Sequence, residues 1–156
     1  MGLGSSLGRD DAIGLALVQA LMAEAAFEGR CVLLESADAA SVASFLLDGR
    51  RPVVLVDAAD MGLPAGEFRF FPDTDVSLIL KTSSVSTHGL GLAEGLALAR
   101  TLGYDAEVRV FGVQPFDVSP GRSLSPGMAG KFPALLDALR KRGLNFFGPA
   151  TNFTNF

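Results

Sequence analysis

The chain has 156 residues, is 49% hydrophobic and carries a formal net charge of −4, from 13 Lys and Arg against 17 Asp and Glu. That length and apolar content fit one domain with one core and exclude a disordered chain. The acidic balance, with no basic stripe, argues against nucleic acid as a partner, and no stretch approaches the run of about 18 uninterrupted apolar residues that a membrane span requires.

Residues 1–9 are a glycine-rich entry, Met1-Gly2-Leu3-Gly4-Ser5-Ser6-Leu7-Gly8-Arg9. No basic segment precedes an apolar one, so the chain is expected to lack a secretory signal and to be cytoplasmic. After Asp10 and Asp11, the residues Ile13, Leu15, Leu17, Val18, Leu21 and Met22 recur at helical spacing. Asp10 is placed to cap that helix and Gly29 to end it. The single cysteine, Cys31, opens an apolar run and reads as a core thiol. A strand is expected over 31–35 and a helix over 37–47, closed by Gly49.

The chain is organised around the next run, Arg51-Pro52-Val53-Val54-Leu55-Val56-Asp57-Ala58-Ala59-Asp60. Val53, Val54, Leu55 and Val56 read as a strand buried on both faces. Pro52 suits its first position, where a missing N–H does no harm. Asp57 arrives where the apolar run stops. In an open parallel sheet that edge is where ligands bind, so Asp57 reads either as a ligand contact or as a cap for the following turn.

Residues 60–67 have turn composition. Residues 68–71 read as a strand, suited to an edge, and 73–80 as a short helix. Residues 81–89 read as a polar loop holding the only histidine, His88. A helix over 90–102, a strand over 106–113, a loop over 114–126 and a helix over 127–142 follow. That last helix closes on Arg140, Lys141 and Arg142, which suit the negative end of its dipole. The Phe- and Asn-rich tail, 143–156, is left unassigned, and the domain is placed at 1–142. Strands alternating with helices predict an α/β fold of three layers, α/β/α, around a mostly parallel twisted sheet.

Three site patterns arise from the residues. Gly2-Leu3-Gly4 before a helix suggests a dinucleotide loop, with Glu35 toward a ribose, but Leu7 stands where the third glycine is needed. Serines cluster beside His88, yet no Gly-x-Ser-x-Gly elbow exists. The third pattern is a mixed oxygen–nitrogen set of Asp11, Asp57 and His88. Each stands at a loop–element junction expected on one edge of the sheet. Two carboxylates converging there repel unless a cation joins them, and carboxylate with imidazole suits a borderline divalent ion.

The sequence resembles the maturation endopeptidases of [NiFe] hydrogenases. The resemblance is carried by Gly2-Leu3-Gly4-Ser5, by Asp10-Asp11-Ala12-Ile13-Gly14, by Asp57-Ala58, by Thr87-His88-Gly89-Leu90-Gly91-Leu92-Ala93-Glu94 and by Gly112-Val113-Gln114-Pro115. The extension from Asp57 to Glu67 looks most like the branch that serves formate-hydrogenlyase-type hydrogenases. The resemblance implies that Asp11, Asp57 and His88 hold nickel. It also implies a hydrolase, sometimes grouped with aspartic-type peptidases, that clips a C-terminal peptide from the hydrogenase large-subunit precursor. The nickel belongs to that precursor and serves as the recognition signal.

Three departures stand out. Ser5 replaces an asparagine, and Glu35-Ser36-Ala37 replaces the usual Asp-Gly-Gly. Only Met1 precedes Gly2, so the first strand is expected to be missing or truncated, with residues 144–147 filling its place, self-association, or marginal stability as the consequence. The expected activity is nickel-dependent C-terminal processing. The competing readings are a nickel-sensing binding or chaperone-like relative that does not cleave, and a nucleotide-binding domain.

Overall fold

Val53–Ala58 forms β3, and every one of its residues is buried. Strand alternation sends Val53 and Leu55 into one apolar cluster and Val54 and Val56 into another, so β3 is covered on both faces. The computed structural model describes residues 1–79 and 87–148, and for 87–90 the backbone alone. The first cluster is roofed by α2 (Ala39–Gly49) and α4 (Thr87–Thr101), through Val42, Leu46, Leu92, Leu96 and Ala99. The second is roofed by α1 (Ile13–Met22) and α5 (Pro126–Phe147), through Ile13, Leu17, Met128, Leu135 and Leu139. These are the three layers the alternation predicts.

The sheet has five strands in the order β2-β1-β3-β5-β4. β3 lies between β1 (Gly2–Gly4) and β5 (Val108–Val113), with β2 (Leu33–Glu35) beyond β1 and β4 (Phe68–Pro72) beyond β5. All pairings are parallel except β4 with β5, and β4 is an edge strand. The short α3 (Val76–Ile79) follows β4. Among the described residues, no helix is long and apolar enough to cross a membrane.

The first strand is present and short. Gly2, Leu3 and Gly4 pair with Leu33, Leu34 and Glu35, while β3 meets β1 through Gly2 and Val56. The Met1 amine adds a 2.7 Å bond to the Val54 carbonyl. Residues 144–147 do not stand in for a strand, because they continue α5 to Phe147. The basic triplet is therefore interior to α5 rather than at its end. Arg140 forks onto Glu24 at 2.8 Å, Lys141 pairs with Asp137, and Arg142 lies over the rings of Phe68 and Phe70.

Other boundaries shift for local reasons. The first helix stops at Met22 rather than near Gly29, because Glu24 turns extended and carries the chain to Phe27, buried beneath Gly143 of α5. Asp38 starts α2 by accepting the Ser41 amide at 2.8 Å, so the helix opens at Ala39 rather than at 37. Arg50, at φ 44°, takes the left-handed cap expected of Gly49. Thr87–Gly89, expected in a loop, form the first turn of α4. Residues 81–86 of that loop, and residue 80 of the short helix expected over 73–80, lie outside the described residues.

Glycines set how close α1 sits to the sheet. A Cβ at Gly14 would lie 2.2 Å from the Val56 carbonyl oxygen and 2.4 Å from that of Leu3. At Gly4 (φ 142°) it would lie 2.0 Å from the Asp11 carbonyl oxygen. These obstacles are backbone, which cannot swing aside as a side chain can. Gly14→Ala is expected to destabilise the fold by at least about 3 kcal/mol, lowering the melting temperature by roughly 6–12 °C. Thermal unfolding by circular dichroism measures this, and an unchanged melting temperature would refute so close a packing.

Candidate active site

In the order β2-β1-β3, the chain leaves β1 in one direction and returns to β3 on the other side of it. The crevice beyond the carboxyl ends of β1 and β3 is thus the sheet's switch point, where open α/β sheets bind ligands. Asp57 is the next-to-last residue of β3 and Asp11 lies in the 3-10 turn Arg9–Ala12 that follows β1. The topology brings these two sequence-predicted residues to one place.

Asp57 is only 2% exposed, and its Oδ1 is buried without a hydrogen-bond partner among the described residues. Burial first, and the Asp11 carboxylate second, push its pKa well above the usual carboxylate range, with a backbone bond from Ala58 pulling weakly the other way. The Asp57 side chain borders a hollow with room for roughly one water, lined also by Leu3, Gly4, Ala37, Val42 and Leu92. Asp11 is half-buried, and its amide bonds the Gly8 carbonyl at 2.9 Å. Gly8 is open to this approach, since a Cβ there would lie 3.0 Å from that of Asp11.

His88 occupies the first turn of α4, one helical turn before Leu92, which lines the hollow. Its side chain lies outside the described residues. Among the described residues, no three His, Cys, Asp or Glu side chains gather as a metal set. What is visible is a pair of carboxylates, one buried with an unpartnered oxygen. Such a pair demands a proton or a cation.

The dinucleotide reading does not fit this geometry. Gly2 and Gly4 belong to a strand, and the space above Gly4 is filled by the Asp11 backbone rather than open to a phosphate. Glu35 accepts the Ser6 amide at 3.2 Å and the Ser6 hydroxyl, which together lower its pKa. Two further residues, Gln114 and Asp10, organise the loops around the site. Gln114 accepts the Met61 amide at 2.8 Å and the Leu63 amide at 3.3 Å, and donates to Asp60 at 3.3 Å, templating the turn that follows β3. Its only signal was its place in Gly112-Val113-Gln114-Pro115. Asp10 does not cap α1, which has no side-chain cap. Its carboxylate instead accepts the amides of Phe116, Asp117 and Ser125.

The family model HycI, hydrogenase maturation protease, matches residues 15–141. The hydrogenase expression/formation protein HupD of Thiocapsa roseopersicina is 34% identical over 131 residues, which is 81% of this chain and 58% of HupD. The chain thus spans under two thirds of the length of that relative. The hydrogenase maturating endopeptidase HybD from E. coli superposes with a TM-score of 0.75 at 24% identity, covering 97% of this chain and 96% of HybD. The [NiFe] hydrogenase maturation protease HybD from Thermococcus kodakarensis superposes with a TM-score of 0.66 at 25% identity, over 90% of this chain and 95% of that one.

The upward pKa shift of Asp57 has a stability consequence. A carboxyl whose folded pKa lies above its unfolded value favours folding when protonated, and that contribution is lost as pH rises through the folded pKa. Above the ordinary carboxylate range, the buried Asp57 therefore opposes folding, whether it keeps its proton or ionises. Asp57→Asn is expected to raise the melting temperature by about 2–8 °C near pH 8. The gain should shrink as the solution is acidified toward the ordinary carboxylate range. A gain independent of pH, read from melting curves of both proteins across pH, would show that the charge is not its source.

Proposed function

The chain belongs to the hydrogenase maturation protease family, and from that premise we propose that it is an endopeptidase that removes a C-terminal peptide from the precursor of a [NiFe]-hydrogenase large subunit, in the cytoplasm and in response to the precursor's nickel. The observation that supports this most directly is the buried, unpartnered oxygen of Asp57 beside Asp11 at the switch point. A buried carboxyl beside a second one is eased by a proton or by a cation, and a nickel ion carried by the substrate would supply the cation. Asp11, Asp57 and His88 engage that ion. Carboxylate and imidazole with no thiolate suit it while leaving positions for water and substrate.

The chemistry asked of these residues is hydrolysis. A water held at the carboxylates attacks the scissile carbonyl, and the positive charge of the ion stabilises the oxygen that becomes negative. Burial strengthens both effects by excluding bulk water. The nickel arrives as part of the precursor's unfinished site, so cleavage is tied to completed metal insertion.

The reading in which the chain senses nickel without cutting drew on the replacement of Asp-Gly-Gly by Glu35-Ser36-Ala37. Ser36 nonetheless takes φ 50°, the left-handed conformation that favours glycine. The loop thus keeps a glycine-like path at about 1–2 kcal/mol of strain. The replacement therefore does not by itself argue for the sensing reading.

The test is to incubate the protein with large-subunit precursor, nickel-loaded or nickel-free, and weigh the products by mass spectrometry. Loss of a C-terminal peptide only from the loaded precursor is the expected result. Capture without cleavage would transfer the chain to the sensing reading. His88→Ala should abolish cleavage and leave the circular dichroism spectrum and melting temperature unchanged, since a first-turn residue at a loop junction leaves no large core cavity. Wild-type processing by this variant would overturn the site. The dialysed protein should hold no stoichiometric nickel in elemental analysis, because an open site without thiolate releases the ion.

A further inference from the structure

Asp11 rides on a turn of four residues, Arg9–Ala12, too short to build a helical ladder of its own. What holds the turn is the long loop between β5 and α5. The Arg9 amide bonds the Gly121 carbonyl at 3.0 Å and the Asp10 amide bonds the Asp117 carbonyl at 3.1 Å. The strongest mooring is the Asp10 side chain, which is fully buried. Its Oδ2 accepts the Phe116 amide at 2.9 Å, the Asp117 amide at 3.0 Å and the Ser125 hydroxyl at 2.8 Å. Its Oδ1 accepts the Ser125 amide at 2.7 Å. Hydrogen bonds to a carboxylate are the strong kind.

Ser125 in turn caps α5, its hydroxyl accepting the Met128 amide at 3.2 Å. Asp10 therefore ties the turn to the end of a 22-residue helix packed into the core. The neighbouring residue in that turn is Asp11. A misplacement of about 1 Å at a reacting group can reduce a rate by 10²-fold, so a carboxylate on a short turn needs such an anchor.

We propose that Asp10 is a positioning residue for the reaction: by clamping the Arg9–Ala12 turn to the cap of α5, it sets where Asp11 stands relative to Asp57. This rests on the role given to Asp11 above. Asp10 does not touch the substrate. It acts through its neighbour, and it is distinct from Asp11, Asp57 and His88, the residues to which the resemblance gives the nickel.

The test compares the wild type with Asp10→Asn, Ser125→Ala and Arg140→Ala. Asparagine keeps the shape but sets an amide against donors that now lack an acceptor. Arg140→Ala breaks the remote bond to Glu24 and serves as a destabilised control. Kinetics use nickel-loaded precursor at saturating and limiting concentrations, with rates scaled to the folded fraction. Asp10→Asn is expected to lower kcat at least tenfold with KM changed less than threefold. Ser125→Ala should lower it severalfold, and Arg140→Ala should leave it unchanged. Amide hydrogen exchange at Asp11, whose N–H bonds Gly8, should accelerate at least tenfold in Asp10→Asn and not in the control.

If Asp10→Asn melts earlier but keeps the wild-type kcat per folded molecule, Asp10 is merely structural and the inference falls. Unchanged exchange at Asp11 overturns it too, whether or not any cleavage is seen, and Ser125→Ala supplies the same readout if Asp10→Asn does not fold. A wild-type protein that leaves the loaded precursor whole overturns the proposed function instead.

Discussion

The contact on which the rest depends is backbone against backbone. The first turn of α1 rests directly on β1 and β3, with Gly14 against the carbonyls of Val56 and Leu3, and Gly4 against that of Asp11. Two parallel strands and a helix cannot approach so closely with side chains between them. This closeness puts the turn after β1 at the end of β3, and hence Asp11 within electrostatic reach of Asp57. The glycine spacing that looks like a phosphate loop in the sequence is a packing device, and the carboxylate pair is its consequence.

That pair works against the stability of the fold that holds it. Asp57 is buried near the end of an otherwise apolar strand, where Val53, Val54, Leu55 and Val56 contribute hydrophobic stabilisation on both faces. An ionised carboxylate there, with one oxygen unpartnered, forfeits part of that gain. Sites that bind cations commonly carry such a strain, since the group that is badly served in the free protein is well served in the complex. The left-handed Ser36, beside the hollow-lining Ala37, is a second local cost at the same edge of the sheet.

The loops at that edge are held by polar side chains rather than by apolar packing. Gln114 shapes the turn after β3, Asp10 clamps the turn after β1 to the loop after β5, and Glu35 gathers Ser6 from the first loop. Each of these bonds joins segments far apart in sequence. They give the carboxyl edge a fixed form while the amino edge is closed separately, by Tyr104 donating to the Arg51 carbonyl at 2.6 Å and by Arg100 donating to the carbonyls of Tyr104 and Ala106.

By itself the sequence determined the layers, the central strand and its terminal aspartate, because uninterrupted β-branched runs and helical periodicity report burial one residue at a time. Asp57 is legible because a charge that ends an apolar run stands out, and Asp11 because it stands where the glycine-rich entry meets the first helical pattern. Only the tertiary structure decided what Asp10, Gln114, Gly4 and Gly14 do. Their partners lie on other elements, at separations such as the 115 residues from Asp10 to Ser125, and nothing local encodes which they are. The same holds for the ends of α1 and α5. Phe27 and Glu24 stop the first helix early to meet α5, and α5 continues past its basic triplet because Glu24, Phe68 and Phe70 give those side chains partners along its length. Periodicity reads which face of an element is buried; which element covers it is settled by the fold, where distant residues compete for the same contacts.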